Sequence, residues 1–189
     1  MSGLKYFIIN LKGVTVMDVE FANYLLGLEK HIIENDNFLD KKQIDIIGTV
    51  KMRFVLGSKE DPDQSFLIDI KESDKKALKI TFHHQDDTTQ NGLLRVDYHS
   101  RHKNPVEIVD TVPEHFKPFA GIFLDDYPGH IHYIVDGYSP LVWAIPLEFD
   151  DFPVKDIKND GDISLVLTAF FERINLITEI TYNAQMRML

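Results

Sequence analysis

Four of the chain's eight histidines fall in two short stretches, "LLRVDYHSRHKNP" and "GHIHYIVDGYSPLVWAIPL". They are His99, His102, His130 and His132, and charged residues accompany them: Arg95 and Asp97 in the first stretch, Asp136 in the second. Imidazole titrates near neutral pH, so histidines beside an aspartate and an arginine suit three uses. They can move protons, ligate a metal, or decorate the solvated side of a sheet.

The first use points to metal-independent RNA cleavage. One histidine takes the proton of a ribose 2′-hydroxyl, a second protonates the leaving oxygen, and a cation steadies the phosphorane. His102 and His132 are the acid/base candidates, Arg95 the phosphate stabiliser, and Asp97 the group that orients a histidine. His99, Lys103, Asn104 and His130 are binding candidates around them. The second use rests on the His-x-His spacing of His130 and His132, a half-site for zinc or manganese that Asp97 or His99 would complete. His-x-His is a weak signal, because any alternating strand produces it. The expectation is a cluster without metal and without cofactor.

Both uses require the two stretches to be neighbouring strands. In "LLRVDYHS", Arg95, Asp97 and His99 sit at alternate positions and share a sheet face, with Leu94, Val96 and Tyr98 opposite. In "HIHYIVDG", His130 and His132 share one face, and Ile131, Tyr133 and Val135 the other. Paired, the strands bring these polar groups within about 5 to 8 Å of one another. His83 and His84 are adjacent and point to opposite faces, so at most one can join. His115, in an irregular segment, reads as loop filler.

The remaining pattern supplies a scaffold. "KYFIINLK" is short and β-rich. "MDVEFANYLLGLEKHIIEN" has apolar residues at three- and four-residue steps and predicts a helix, capped by Asp18, ended by Asn35 to Asn37, with His31 on its surface. "IDIIGTVKMRFVLG" predicts one bent strand or two, with Gly48 at the bend. "SFLIDIKES", "ALKITFHHQ" and "GLLRVDYHS" alternate and predict a three-stranded antiparallel meander. Residues 101–129 hold no long periodic run and form an excursion. "HIHYIVDGY" and "LVWAIPL" return as strands, and Pro146 ends the latter or places it at an edge. "DISLVLTAFFERINLITEI" predicts a second amphipathic helix, capped by Asp162, with Leu165, Phe170, Ile174 and Ile177 on its apolar side. Trp143, Tyr133, Tyr138, Phe149, Phe170 and Phe171 fit a sheet packed beneath it. The expected fold class is α+β: a mainly antiparallel sheet with an N-terminal and a C-terminal helix on one face, in a single domain spanning residues 1–189.

Composition excludes several classes. A chain of 189 residues with 44% hydrophobic residues can bury a core. The absence of cysteine removes disulfide scaffolds and thiolate zinc sites and suits a reducing cytoplasm. "MSGLKYFIINLKGVTV" lacks the apolar core of a signal peptide, and no stretch reaches the roughly 20 apolar residues of a membrane helix, so no membrane partner is expected. A net charge of -10 opposes diffuse nucleic-acid binding but permits a focused basic site around Arg95, Arg101 and Lys103.

The series "GLLRVDYHSRHKNP", "HIHYIVDGYSPLVWAIPL" and "FFERINL" resembles a widespread, uncharacterised family of small prokaryotic proteins. Its members carry an Arg-x-Asp strand, a His-x-Asn-Pro turn, a His-x-His-x-Tyr strand and a Trp-Ala-x-Pro-Leu segment. The matching stretches span residues 65–178 and leave residues 1–60 uncovered. The order Arg-x-Asp followed by paired histidines is also similar to TumE-type toxins of toxin–antitoxin modules, thought to act on RNA. The resemblance marks Arg95, Asp97, His102, Asn104, His130 and His132.

Two functional classes follow. One is a toxin-like or defence-associated protein acting on RNA, with an antitoxin as protein partner. The other is an acidic, non-catalytic inhibitor of a nucleic-acid-binding target, for which Asp150, Asp151 and Asp156 would be the contact residues. A dimer through the edge strand is compatible with both.

Overall fold

The computed structural model describes residues 9–11, 14–46 and 49–184. In chain order the elements are β1 (Ile9–Leu11), β2 (Val14–Val16), α1 (Val19–Gly27), β3 (His31–Glu34), β4 (Asn37–Phe38), β5 (Lys41–Ile46) and β6 (Lys51–Gly57). There follow β7 (Ser65–Glu72), β8 (Ile80–Asp86), β9 (Gly92–Tyr98), β10 (Gly129–Tyr133), β11 (Trp143–Pro146), α2 (Asp160–Arg173) and β12 (Glu179–Ala184). Eight of the strands form one antiparallel sheet in the order β11-β10-β9-β8-β7-β6-β3-β4. The fold class is α+β with the sheet dominant, as the pattern predicts. No helix among the described residues is long and apolar enough to cross a membrane.

Alternation builds two unlike faces. Phe66, Ile68, Ile70, Ile80, Phe82, Val96 and Ile131 are buried on one of them. Here α2 packs, with Phe82 against Phe170 at 5.8 Å and Phe54 against Phe171 at 6.2 Å between ring centroids. On the opposite face the register aligns one polar row across five strands: Arg53 pairs with Asp69, Asp69 with His83, His83 with Arg95, and Arg95 with His132. Pro146 stands in β11, the edge strand, as expected.

The first helix is shorter than its periodicity suggests. Asp18 caps it, accepting from the backbone of Glu20 and Phe21, but it ends at Gly27. The apolar residues beyond, "HIIE", are β3, and His31 is buried in a strand rather than placed on a helix surface. Asn35 and Asp36, with φ of +49° and +62°, make the tight β3–β4 turn instead of ending a helix. Four apolar-rich residues fit either period, and pairing with β6 decided for the strand.

The second helix starts earlier and stops sooner than expected. Asn159 is its cap and Asp162 its third residue, in a reciprocal capping box. It ends at Arg173, and the following "EITYNA" is β12, which pairs in parallel with β5. Leu165 and Ile177, assigned to the apolar side, are exposed, as is Phe149. Lys41–Ile46 and Lys51–Gly57 are two strands, not one; the expected bend at Gly48, the ends of "KYFIINLK" and residues 185–189 lie outside the described residues.

Lys30 and His84 are both buried on the helix side. Lys30 donates to the carbonyls of Leu26 and Leu28 at the end of α1, at 3.1 and 2.8 Å, and burial lowers its pKa to about 7. His84 packs 5.4 Å from the Phe66 ring; its Nδ1 lies 3.2 Å from the Leu67 carbonyl and its Nε2 has no partner. Burial, with the Lys30 charge, holds its pKa well below 6.5. The folded chain therefore keeps His84 neutral where the unfolded chain binds a proton. Its contribution is complete above the unfolded pKa of about 6.5 and is lost as pH falls below that value. Urea unfolding between pH 6.5 and 5 should show stability falling with acid, and His84→Leu should flatten that slope by about 1.4 kcal/mol per pH unit.

Candidate active site

The polar row converges where β8, β9 and β10 meet. Asp97 is its centre. Its carboxylate accepts the Thr81 hydroxyl from β8 and Arg95 Nε at 2.9 Å from its own strand, and lies 3.0 Å from His132 Nε2 and 3.5 Å from His130 Nε2 on β10. Burial alone would raise its pKa. The contacts from His130 and His132 and the Arg95 charge more than reverse this and hold it well below the usual carboxylate range.

His132 is 0% and His130 1% exposed, so neither can touch a substrate directly; the Arg95 side chain is 29% exposed and stands at the surface of the cluster. His132 Nδ1 lies 2.8 Å from the Leu141 carbonyl, which can only accept, so Nδ1 carries the proton. Nε2 faces Asp97 Oδ2 at 3.0 Å, and Arg95 Nη2 lies against the ring, 2.8 Å from Nε2 and 3.1 Å from Nδ1. Burial lowers the His132 pKa to about 3, Arg95 adding to this against the pull of Asp97. The ring is neutral at physiological pH. Leu141 sits at φ +58°, a strained conformation for a branched residue, in the turn that presents this carbonyl. Its side chain crosses Gly92, where a Cβ would approach Leu141 Cδ1 to 2.3 Å.

His102 arrives from the excursion rather than from the sheet. Its ring centroid lies 4.5 Å from that of His132 and 5.6 Å from that of His130. Its Nε2 faces two acceptors, Asn104 Oδ1 at 3.0 Å and the Val142 carbonyl at 3.2 Å. Nε2 therefore bears the hydrogen, and Nδ1 is the basic nitrogen. Burial, helped by His130 and Arg95, lowers its pKa and keeps it neutral.

Asn104 explains why the excursion returns here. Its amide accepts Ala144 N–H at 2.9 Å and donates to the Ala144 carbonyl at 2.7 Å, the two bonds a ninth strand would make to the open edge of β11. It also donates to Phe119 O at 3.1 Å. Expected as a binding residue, Asn104 is buried and holds the edge and His102 in place.

Two expected members lie elsewhere. His99 has φ +50°, which breaks the strand alternation just past β9; its Nε2 contacts the Ile157 carbonyl at 3.0 Å and Asp156 at 3.4 Å. Lys103 stacks on Phe123 at 4.9 Å, and Arg101 pairs with Asp125 at 2.8 Å, so of the basic trio only Arg95 joins the cluster. Residues that the sequence reading missed are Thr81 and the Leu141 carbonyl. Thr81 shares the β8 face of His83 by alternation, but pairing to β9 was needed to bring it to Asp97. His83, the cross-strand partner of Arg95, is the member of its pair that joins. Tyr98 is buried and donates to Val154 O at 2.6 Å. His115 is exposed beside Phe116.

The acids proposed for an inhibitor face are engaged within the chain. Asp150 accepts the Tyr133 hydroxyl at 2.6 Å, Asp151 pairs with Arg173 at 2.8 Å, and Asp156 faces His99.

Residues 17–176 match the model of a family of unknown function, DUF6978. The chain belongs to that family. The match covers every residue of the cluster and extends toward the N-terminus beyond the motif-bearing stretch. No curated protein and no solved structure matches the chain. The family supplies no activity, so the chemistry of this DUF6978 member has to be read from its own residues.

Asn104→Ala removes a donor and an acceptor from a buried edge and leaves Ala144 unpaired. It should cost about 2–4 kcal/mol in chemical unfolding and speed hydrogen exchange at Ala144. Asn104→Asp keeps only the acceptor and should recover little of that loss.

Proposed function

We propose that this chain is a toxin-like ribonuclease of a bacterium or mobile element, which cleaves RNA without a metal. The observation that supports this reading is the pairing of a neutral, oriented histidine, His102, with an arginine clamped beside it. Asp97 and His132 hold Arg95 through Nε and Nη2, at 2.9 and 2.8 Å, which fixes the guanidinium plane before any substrate arrives.

In this mechanism His102 Nδ1 takes the proton of the ribose 2′-hydroxyl as its oxygen attacks phosphorus. Arg95 balances the growing negative charge on the phosphoryl oxygens. The 5′-oxygen leaves with a proton from water, and a 2′,3′-cyclic phosphate remains. His132, the second acid/base candidate, becomes a positioning residue here, because it is shielded from any leaving group. A cavity of about 320 Å³ beside Thr81, lined by Lys71, Ser73, Asp74, Lys75, Lys79 and Thr81, offers cations for the neighbouring phosphates on a chain that is otherwise acidic.

The test is cleavage of a labelled single-stranded RNA by the purified, chelator-treated protein. RNA should be cut to cyclic phosphate ends with EDTA present, and a fully 2′-deoxy strand should survive. His102→Ala should lower kcat about 10²- to 10⁴-fold, with the circular dichroism spectrum unchanged. Arg95→Lys should lower it by about 10²-fold or more. Cleavage of the deoxy strand, or full activity in His102→Ala, would exclude the mechanism. Intact RNA and unimpaired growth on expression of the wild type would exclude the activity.

A further inference from the structure

His130 is 1% exposed, yet its Nδ1 has no hydrogen-bond partner and its Nε2 has only the Asp97 carboxylate, at a long 3.5 Å. A buried imidazole so poorly satisfied is costly, and such groups call for an explanation. The ring faces a carboxylate and a second imidazole: ligand atoms of Asp97, His130 and His132 all lie within 4.8 Å of one another.

The spacing matches a cation shell. Donors about 2.0–2.1 Å from a tetrahedral zinc stand about 3.3 Å apart. Asp97 Oδ2 is 3.0 Å from His132 Nε2 and 3.5 Å from His130 Nε2, which brackets that value. The outer contacts suit ligands too. His132 donates Nδ1–H to the Leu141 carbonyl, which aims the Nε2 lone pair inward, and the second Asp97 oxygen is held by Thr81. One feature opposes a metal: Arg95 already contacts Asp97 Oδ2 and His132 Nε2. A dication and a guanidinium cannot share those two atoms.

We propose that Asp97, His130 and His132 form a site for a transition dication, which binds by displacing Arg95. Two imidazoles with one carboxylate favour zinc or iron(II) over magnesium or calcium. The strand register builds the site, since Asp97 and His130 are direct cross-strand partners and His132 follows two residues on. Arg95 then has two states: clamped on the empty ligands, or released by the cation. This adds a regulator to the ribonuclease reading and does not depend on it.

The experiment is calorimetric titration of the chelator-treated full chain with zinc chloride, without RNA. One equivalent should bind and raise the melting temperature, whereas magnesium should do neither. His130→Ala should weaken zinc more than about tenfold. Should that variant fail to fold, Asp97→Asn, which preserves shape, is expected to weaken binding likewise. Arg95→Gln removes the competing charge and should bind zinc more tightly than the wild type. X-ray absorption of the loaded protein should report two imidazole nitrogens. The proposal is overturned by wild type that binds no zinc, by undiminished binding in both ligand variants, or by no tightening in Arg95→Gln.

Discussion

A carboxylate taken out of water must find compensation from its neighbours, and Asp97 finds all of it within the sheet. Thr81 reaches it from β8 and Arg95 from two residues away on its own strand, while the His132 ring of β10 stands beside it. Every one of these partners is delivered by strand register. A slip of one residue in β9 would replace Arg95 and Asp97 by apolar neighbours and turn a negative charge toward the helices. The same pairing that assembles the site therefore also specifies how the sheet must form. Removing one partner of such a buried pair typically costs about 3–5 kcal/mol, because the other charge is left behind.

The excursion between β9 and β10 depends on the same arrangement. It leaves β9 through His99, whose left-handed backbone takes that side chain away from the cluster. It then sets His102 against the two buried histidines and closes the edge of β11 through Asn104. One asparagine thus does two jobs. Its oxygen binds both the Ala144 amide and His102, so the orientation of the half-buried base and the protection of the edge strand are linked. An edge covered by a side-chain amide is also closed to strand addition by another chain.

The two faces of the sheet treat polar groups differently. On the helix side burial, helped by the Lys30 charge, keeps His84 neutral. On the other side the histidines are gathered around a charge pair, Asp97 with Arg95, whose sum is zero. That balance is what makes the site sensitive to a second cation: an ion entering beside the carboxylate changes the net charge of a buried cluster unless Arg95 withdraws.

Much of this was legible in the chain itself. Alternation in "LLRVDYHS" and "HIHYIVDG" determined that Arg95 and Asp97 share a face of their strand and that His130 and His132 share a face of theirs, because a strand has a period of two whatever surrounds it. The meander, the edge position of β11 and the two helices followed from the same local patterns. Local pattern could not decide the fates of "HIIE" and "EITYNA", which are short enough to suit helix or strand and became strands through pairing with β6 and β5. Nor could it separate His102 from His99. Both lie just past the same strand, and the difference between them is a single backbone angle together with contacts to Val142 and Ile157, at least 40 residues away in sequence. Periodicity is a property of neighbours in the chain, whereas burial, the choice of tautomer and the partner of each charge are set by residues that only the folded sheet brings within hydrogen-bonding distance.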